Sequence, residues 1–205
     1  MTDIGNQLAR AADSASTLQL EESSRRFAAS ASEAELDDVA YAYVDTPVGE
    51  LLVAVTRRGL VTVGLQRDWA EAALERIAAK LSPRVIEAPA RLDRERRQLE
   101  EYFDGKRKAF DLPLDWRLVR GPFSKRVLEE TWKLGYGETM TYTQAAERAG
   151  SKRAFRAAGN ALGSNPIPIV VPCHRVLASG GGLGGYGGGL DMKRHLLRLE
   201  GAARA

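Results

Sequence analysis

Residues 165–176, Asn-Pro-Ile-Pro-Ile-Val-Val-Pro-Cys-His-Arg-Val, form an apolar run with three prolines that ends in a cysteine beside a histidine. Proline fixes φ and lacks an amide hydrogen, so this run is stiff and cannot be an ordinary central strand. It delivers Cys173, the only cysteine of the 205-residue chain, to a defined position next to His174. A lone cysteine is more often a small buried core residue, but a thiol held beside an imidazole is a candidate nucleophile with a candidate base.

The composition excludes several classes of protein. A hydrophobic content of 44% is enough for a core, yet no stretch approaches the roughly 18 apolar residues of a membrane span. The N-terminus lacks the basic start and apolar core of a secretory signal, and a single cysteine permits no internal disulfide. We therefore expect a cytoplasmic protein without a membrane partner. No Cys/His cluster able to hold zinc is present, so we expect no metal and no other cofactor.

Charge is unevenly distributed along the chain, although the net charge is only +3. Residues 1–38 carry three basic and eight acidic side chains, a net of −5, and residues 39–116 carry thirteen of each. Residues 117–205 carry fourteen basic and six acidic side chains, a net of +8. The positive excess in the part that holds Cys173 fits a polyanion such as nucleic acid, and it equally fits a solvated surface without a partner.

Turn residues and composition divide the chain into three segments and predict an α/β (α+β) fold. Residues 1–38 are rich in Ala, Ser and Glu, and we interpret them as a poorly ordered or marginally helical acidic extension. Residues 39–116 predict a small scaffold domain, in which an antiparallel meander is followed by helices over Trp69–Leu81 and Leu92–Phe103. Residues 117–205 predict a second, mainly helical domain.

The second domain contains the spacing of a helix-turn-helix. A first helix is predicted over Phe123–Leu134, and Thr141-Tyr142-Thr143-Gln144 then matches a capping box that opens a short helix. That helix ends at Gly150, and Ser151 is predicted to cap a further helix to about Leu162. Two helices joined by a tight glycine-containing turn are typical of a helix-turn-helix, although any packed helix pair can share such a turn.

The last of these helices has two contrasting faces. Arg153, Arg156 and Asn160 recur on one face, while alanines occupy another. A basic row on a nearly smooth helix suits insertion into a nucleic-acid groove. The same pattern also fits a helix that packs closely on its neighbour with its arginines in water.

Glycines fill eight of the ten positions of Gly180–Gly189, and Leu183 and Tyr186 are the exceptions. The run formally contains G-x-G-x-x-G at Gly182–Gly187, but no strand–helix unit with a downstream acid surrounds it, so we exclude a dinucleotide site. Two interpretations are left open. The run is either a mobile linker or a pocket wall where backbone must approach a ligand closely.

A final helix follows the glycine run, and Asp191 is predicted to cap it. Glu200 falls at its C-terminal end. A carboxylate there opposes the helix dipole, so we expect Glu200 to have a compensating partner.

Four blocks in a fixed order resemble the O-6-alkylguanine–DNA alkyltransferases. They are residues 156–162 (Arg-Ala-Ala-Gly-Asn-Ala-Leu), Asn165-Pro166, residues 172–176 (Pro-Cys-His-Arg-Val) and residues 186–190 (Tyr-Gly-Gly-Gly-Leu). The resemblance is strong over Phe123–Gly201, diffuse over residues 39–116 and absent from residues 1–38. It implies a DNA repair protein that moves an alkyl group, chiefly methyl, from the O-6 atom of a damaged guanine to its own cysteine, once per molecule.

The resemblance implies a role for each candidate catalytic residue. Cys173 is the alkyl acceptor, His174 abstracts its proton through a water, and Glu200 orients the imidazole. Asn165 fixes the turn that presents the thiol. Tyr142 hydrogen-bonds the guanine ring and helps to rotate the nucleotide out of the duplex.

The resemblance also implies the contacts with double-stranded DNA, through a helix-turn-helix in the minor groove. Arg156 enters the base stack in place of the extruded guanine. The carbonyls of Cys173 and Val176 receive the guanine amino group, and Tyr186 and the glycine backbone form the pocket wall. Gly187 stands where some members have a serine, so a hydrogen bond at this place must come from a backbone amide. We expect a monomer in solution and leave open its assembly along DNA.

Two other functions compete with alkyl transfer. The chain could be a sensor that grips alkylated DNA without transferring the group. It could also be a thiol hydrolase that uses Cys173, His174 and Glu200, although the basic helix with Arg156 counts against that hypothesis.

Overall fold

The computed structural model describes residue 23 and residues 38–65 and 67–202. The predicted acidic extension at residues 1–38 therefore lies outside the described residues, apart from Ser23 and Asp38, and its interpretation stays a prediction. Within the described ranges, no helix has the length and the apolar character needed to cross a membrane.

A four-stranded sheet forms the first half of the fold. Its strands are β1 (Val39–Val44), β2 (Leu51–Thr56), β3 (Gly59–Gly64) and β4 (Val85–Glu87), in the order β3-β2-β1-β4. β1, β2 and β3 form the predicted antiparallel meander. β4 pairs parallel with β1 and was not predicted, because three residues are too few to show a periodicity. The sheet is therefore mixed.

Two helices pack against this sheet close to their predicted positions. They are α1 (Arg67–Lys80) and α2 (Asp93–Phe103), the second preceded by a 3-10 turn over Pro89–Leu92. α1 buries Ile77 completely, as helical spacing predicts. α2 buries Tyr102 completely, and its hydroxyl points toward the second half of the chain, where it finds its partner.

Four helices form most of the second half. They are α3 (Pro122–Trp132), α4 (Tyr142–Arg148), α5 (Phe155–Gly163) and α6 (Gly189–Leu199). The capping box before α4 is confirmed: the Thr141 hydroxyl accepts from the Gln144 amide, and the Gln144 side chain accepts from the Thr141 amide at 2.7 Å.

Two predicted helix starts were wrong. Ser151 makes no side-chain cap, because a 3-10 turn over Lys152–Ala154 intervenes before α5 begins. Asp191 lies inside the first turn of α6 and pairs with Arg194 at 2.7 Å instead of capping the helix. In both cases a short polar side chain was predicted to cap, but the helix begins elsewhere.

Short backbone pairings bring the site together across long stretches of sequence. β5 (Met140–Thr141) pairs parallel with β6 (Val176–Leu177), which places the start of α4 beside the chain that follows the cysteine. The Pro166 carbonyl accepts from the hydroxyl of Thr62 at 2.8 Å and from the amide of Val63 at 2.9 Å. These two bonds fix the sheet against the loop that leads to the cysteine.

The start of β3 provides a test of backbone packing. Gly59 has a φ of +125°, and a Cβ added there would lie 2.1 Å from the carbonyl oxygen of Pro113. We expect Gly59→Ala to lower the free energy of unfolding by about 3 kcal/mol or more, because steric overlap adds to the strain of a positive φ. Urea denaturation measures this loss.

The matched control is Gly105→Ala. Gly105 also has a positive φ, +72°, but nothing lies within 4 Å of an added Cβ. Gly105→Ala should lower the free energy of unfolding by about 1 kcal/mol, the cost of the backbone conformation alone. Equal losses in the two variants would show that the approach to Pro113 is not the cause.

Candidate active site

The stretch before the cysteine is held by the side chain of Asn165. Its Nδ2 donates to the carbonyl of Val171 at 2.9 Å, and its Oδ1 accepts from the amide of Ile167 at 3.0 Å. Between these two contacts Ile169 has a φ of +72°, a strained conformation for a β-branched residue. Asn165 therefore clamps both ends of a strained turn, which fits its predicted part in presenting the thiol of Cys173.

Cys173 opens a 3-10 turn over Cys173–Arg175 and is only 8% exposed. Burial raises the pKa of the Cys173 thiol, while a hydrogen bond from Asn165 and the positive charge of Lys193 oppose the rise. The net direction is upward, so the thiol is protonated at neutral pH. A nucleophilic role for this thiol requires a base next to it.

His174 has the arrangement of such a base. Its Nε2 lies 2.9 Å from Oε1 of Glu200, and both side chains are fully buried. Because Nε2 faces a carboxylate, it carries the proton of the neutral ring, and Nδ1 is left as the acceptor. Nδ1 is buried and has no hydrogen-bond partner among the described residues. Burial lowers the pKa of His174, an effect that the neighbouring Arg175 reinforces and Glu200 opposes.

Glu200 is the centre of a buried hydrogen-bond network. Besides His174, its carboxylate accepts from the Tyr102 hydroxyl at 2.7 Å and from Nε and Nη2 of Arg175 at 2.7 and 2.8 Å. The Gly137 amide contributes a longer contact of 3.3 Å. Burial alone would raise the pKa of Glu200, but the hydrogen bonds from His174 and Arg175 hold it well below its usual range. The compensating partner expected for Glu200 is thus a set of partners.

The glycine run lies against side chains that approach its backbone closely. The Tyr142 hydroxyl, at the start of α4, donates to the Gly185 carbonyl over 3.4 Å. A Cβ at Gly184 would lie 2.7 Å from the Tyr142 ring, and a Cβ at Gly187 would lie 2.6 Å from the Trp69 indole. These contacts favour the interpretation of the run as a wall over that of a mobile linker.

Lys193 holds this wall from inside and was not predicted. Its ammonium is buried and donates to the carbonyls of Val176, Leu183 and Gly185, the first at 2.7 Å. Burial lowers the pKa of Lys193 to about 8. No periodicity or motif marks this lysine in the sequence, because its partners are backbone carbonyls of a loop.

The pocket-wall groups of the prediction lie around the thiol. The ring of Tyr186 is 6.3 Å from that of His174, and its hydroxyl is buried without a partner among the described residues. The carbonyl of Val176 already accepts from Lys193, and that of Cys173 from the amide of Val176. Each of these carbonyls keeps a second lone pair for a further donor.

The predicted DNA-contacting side chains are all exposed. Arg156 lies in the first turn of α5, with its guanidinium 5.7 Å from the centre of the Phe155 ring, and Asn160 follows one turn later. Arg153 lies in the preceding 3-10 turn, so the three residues do not share one continuous helix as predicted. Neither arginine forms an ion pair with any residue that the structure describes. Ala157 leaves the exposed side of α5 nearly smooth beside them.

No group of three His, Cys, Asp or Glu side chains in the described part of the chain could hold a metal ion. The side chains of the site offer a buried thiol, an imidazole with one nitrogen that has no partner among the described residues, and a carboxylate that orients the imidazole.

Two family models match the chain. The one described as "6-O-methylguanine DNA methyltransferase, ribonuclease-like domain" matches residues 39–116, and the one described as "6-O-methylguanine DNA methyltransferase, DNA binding domain" matches residues 122–202.

Similar proteins of known sequence or structure agree with these matches. The methylated-DNA–protein-cysteine methyltransferase of Methanosarcina barkeri is 39% identical over 170 residues, which cover 78% of this chain and 96% of that protein. The protein of the same name from Mycolicibacterium paratuberculosis is 40% identical over 162 residues, 79% of this chain and 92% of that protein. The crystal structure of Mycobacterium tuberculosis OGT in complex with DNA superposes with a TM-score of 0.67, at 36% identity, over 81% of this chain and 94% of that one.

The buried imidazole predicts a pH dependence of stability. The folded pKa of His174 lies below its usual value of 6.5, so below about pH 6.5 the unfolded chain binds a proton that the folded chain does not. We expect the free energy of unfolding to fall as the pH is lowered from about 7 to 5, with a slope of at most about 1.4 kcal/mol per pH unit for this proton. Urea denaturation at several pH values measures the slope.

His174→Gln should flatten this slope. His195→Gln, at the only other histidine of the chain, which is exposed, is the matched control and should leave the slope as in the parent protein. The pH dependence is wrongly assigned to His174 if both variants keep the parent slope.

Proposed function

The chain belongs to the 6-O-methylguanine DNA methyltransferase family, and on this premise we propose that Cys173 accepts the alkyl group that the protein removes from DNA. Methylated-DNA–protein-cysteine methyltransferase activity, and with it DNA repair by alkyl transfer, is the function of this chain. The observation that carries the assignment to Cys173 concerns His174, which follows the only thiol of the chain. Its Nδ1 is buried without a hydrogen-bond partner among the described residues, while Nε2 is held by Glu200.

In the proposed reaction the sulfur of Cys173 attacks the alkyl carbon attached to O-6 of guanine. The thiol proton passes through a water to Nδ1 of His174, the sulfur–carbon bond forms, and the carbon–oxygen bond breaks. The positive charge that develops on the imidazole is stabilised by the carboxylate of Glu200. The departing guanine anion takes up a proton from water and the imidazolium releases its proton to water, so that a neutral base, a neutral imidazole and a thioether result.

The thioether cannot be displaced under ordinary conditions, so each molecule acts once. Burial of Cys173 and its raised pKa are compatible with this chemistry, because the thiolate is needed only when a substrate fills the site. We assign Asn165 the role of holding the thiol in place through its clamp on the preceding turn. We assign Tyr142 a hydrogen bond to the guanine ring, supported by its half-buried position against the glycine wall.

DNA is the partner of this chain, and we propose that the exposed face of α5 enters the minor groove of the duplex. The exposure of Arg156 and the absence of an ion pair with described residues support its insertion into the base stack in place of the flipped guanine. Arg153 and Asn160 lie on the same exposed side and are assigned to backbone contacts. Val176, Tyr186 and Gly187 are assigned to the pocket of the flipped base.

We further propose that residues 39–116 act as a scaffold domain, and that residues 117–205 carry both DNA binding and alkyl acceptance. The separate ranges of the two family matches, and the position of the thiol, the imidazole and the exposed arginines within the second range, support this division. We propose that the protein is a monomer in solution.

Alkyl transfer to Cys173 is tested by mass spectrometry. Incubation with duplex DNA that carries O-6-methylguanine should add the mass of one methyl group per molecule, on the peptide that contains Cys173. Cys173→Ser should gain no mass under the same conditions, because its hydroxyl is a far weaker nucleophile.

An unchanged mass of the parent protein, with the thiol intact and the DNA bound, would favour the competing function of a damage sensor. Catalytic turnover of acyl substrates would instead favour the thiol hydrolase.

The part of Arg156 is tested by comparing two substrates. Arg156→Ala should slow transfer from duplex DNA about 100-fold, while the reaction with a free-base O-6-alkylguanine should change less than about twofold, since only the duplex requires unstacking of a base at a cost of a few kcal/mol. Single-turnover rates measure both.

Arg194→Ala, which removes an arginine already paired with Asp191, is the charge-matched control and should leave both rates near those of the parent protein. Equal losses on both substrates in Arg156→Ala would mean that Arg156 supports the fold and does not act on the DNA.

A further inference from the structure

A cleft of about 250 Å³ separates helix α1 of the first half from the turn that follows α5 in the second half. Helix α1 contributes an aromatic, an aliphatic and a cationic side chain to one wall. The other wall is formed by residues at the start of the proline-containing run that leads to Cys173. These lining residues are Trp69, Ala73 and Arg76 on one side, and Ser164, Asn165 and Pro166 on the other. The two hydrogen bonds that the Pro166 carbonyl accepts from β3 fix the floor of the cleft.

The cleft adjoins the reacting thiol at two places. Asn165 lines it, and the same side chain bonds Ile167 and Val171 in the turn that leads to Cys173, close enough to the thiol to oppose the rise of its pKa. Trp69 also lines it, and its indole presses on Gly187, next to the Tyr186 of the pocket wall. A substituent longer than methyl, bound with its first carbon in line between sulfur and O-6, must extend sideways from that line. The cleft between Asn165 and Trp69 lies next to both the turn that leads to Cys173 and the pocket wall at Gly187.

Arg76 gives this cleft an unusual charge. Its guanidinium carries five donors, but it makes no hydrogen bond or ion pair with any residue that the structure describes, and its Nε is buried without a partner. Burial lowers the pKa of Arg76, and the positive charge of Arg120 adds to this effect. Among the residues that the structure describes, Arg76 therefore lacks the counter-charge that buried arginines normally have.

The chemistry of the walls defines a complementary ligand. Trp69, Ala72 and Ala73 offer an apolar surface to a hydrocarbon or aromatic spacer, and Arg76 offers donors to an anion beyond it. Arginine binds carboxylates in a bidentate manner, so a spacer that ends in a carboxylate fits both parts of the cleft.

We infer that this cleft receives the distal part of O-6 substituents larger than methyl, and that Arg76 makes the protein select substituents that end in a carboxylate. This inference rests on the proposed function, since it concerns the group that Cys173 removes. A DNA phosphate is the other anion that Arg76 could meet. The substituent is favoured because the cleft adjoins the thiol through Asn165 and has an apolar wall, which a phosphate does not need.

The test uses free-base O-6-benzylguanines, whose transfer to Cys173 does not depend on DNA contacts. One carries a carboxylate on the far side of the ring and the other a neutral carboxamide of similar shape. The parent protein should react with the carboxylate about tenfold faster, the ratio expected for a charge-assisted hydrogen bond in a partly exposed site. Arg76→Gln should bring this ratio to about one, and Arg76→Lys should retain part of it.

Arg58→Gln, which removes a positive charge from the exposed turn between β2 and β3, is the matched control and should keep the ratio of the parent protein. Methyl transfer from duplex DNA should be the same in Arg76→Gln and the parent. Suppose that the parent protein transfers methyl normally and yet shows no preference for the carboxylate, or accepts neither benzyl group. Either result would overturn the inference and leave the proposed function standing. No methyl transfer at all would overturn the proposed function and the inference with it.

If Arg76→Gln lowers the transfer rate by the same factor for both benzyl substrates and for methylated duplex DNA, Arg76 supports the fold. If the transfer rate falls only with duplex DNA, Arg76 contacts a phosphate. Either result would overturn the selection of anionic substituents.

Discussion

The carboxylate of Glu200 is the contact on which the site and much of the fold depend. A buried carboxylate costs several kcal/mol unless donors surround it, and here they come from Tyr102 on α2, from His174 and Arg175 in the turn after the thiol, and from the amide of Gly137. The donors lie between 25 and 98 residues away along the chain. The scaffold half therefore contributes the Tyr102 hydroxyl to a charge whose ionic partner, Arg175, lies in the acceptor half, and a shift between the halves would remove that one donor.

The same network determines the protonation state of the site. A carboxylate beside an imidazole would ordinarily hold it as a cation, but Arg175 already balances the charge of Glu200, and burial disfavours a second positive charge on His174. The imidazole is therefore neutral and can accept a proton through Nδ1. Burial of Cys173 keeps its thiol protonated in the absence of substrate, since the pKa of the thiol is raised. A protonated thiol is a weak nucleophile, which suits the proposed reaction, because there the thiol is used only once.

The parts of this structure that the sequence could predict are those that depend on local chemistry. The capping box at Thr141 and the meander of β1 to β3 follow from spacing and turn residues. The pairing of His174 with Glu200 was implied by the family resemblance and is confirmed. The short strand β4 has too few residues to show a period, and Ser151 was predicted to cap a helix that begins later. The other site residues that the sequence did not predict are side chains whose partners are brought to them only by the tertiary fold. They are Tyr102, Arg175 and Lys193.

The glycine run shows how a composition typical of linkers can be a steric requirement. Side chains fill the places where Cβ atoms would stand: the Tyr142 ring at Gly184 and the Trp69 indole at Gly187, at 2.7 and 2.6 Å. Some members of the family carry a serine at the position of Gly187. With Trp69 in this place a serine there would require the end of the exposed indole to move. Helix α1 of the scaffold half thus contributes a side chain to the outer side of the pocket wall, and residues 69 and 187 share one space.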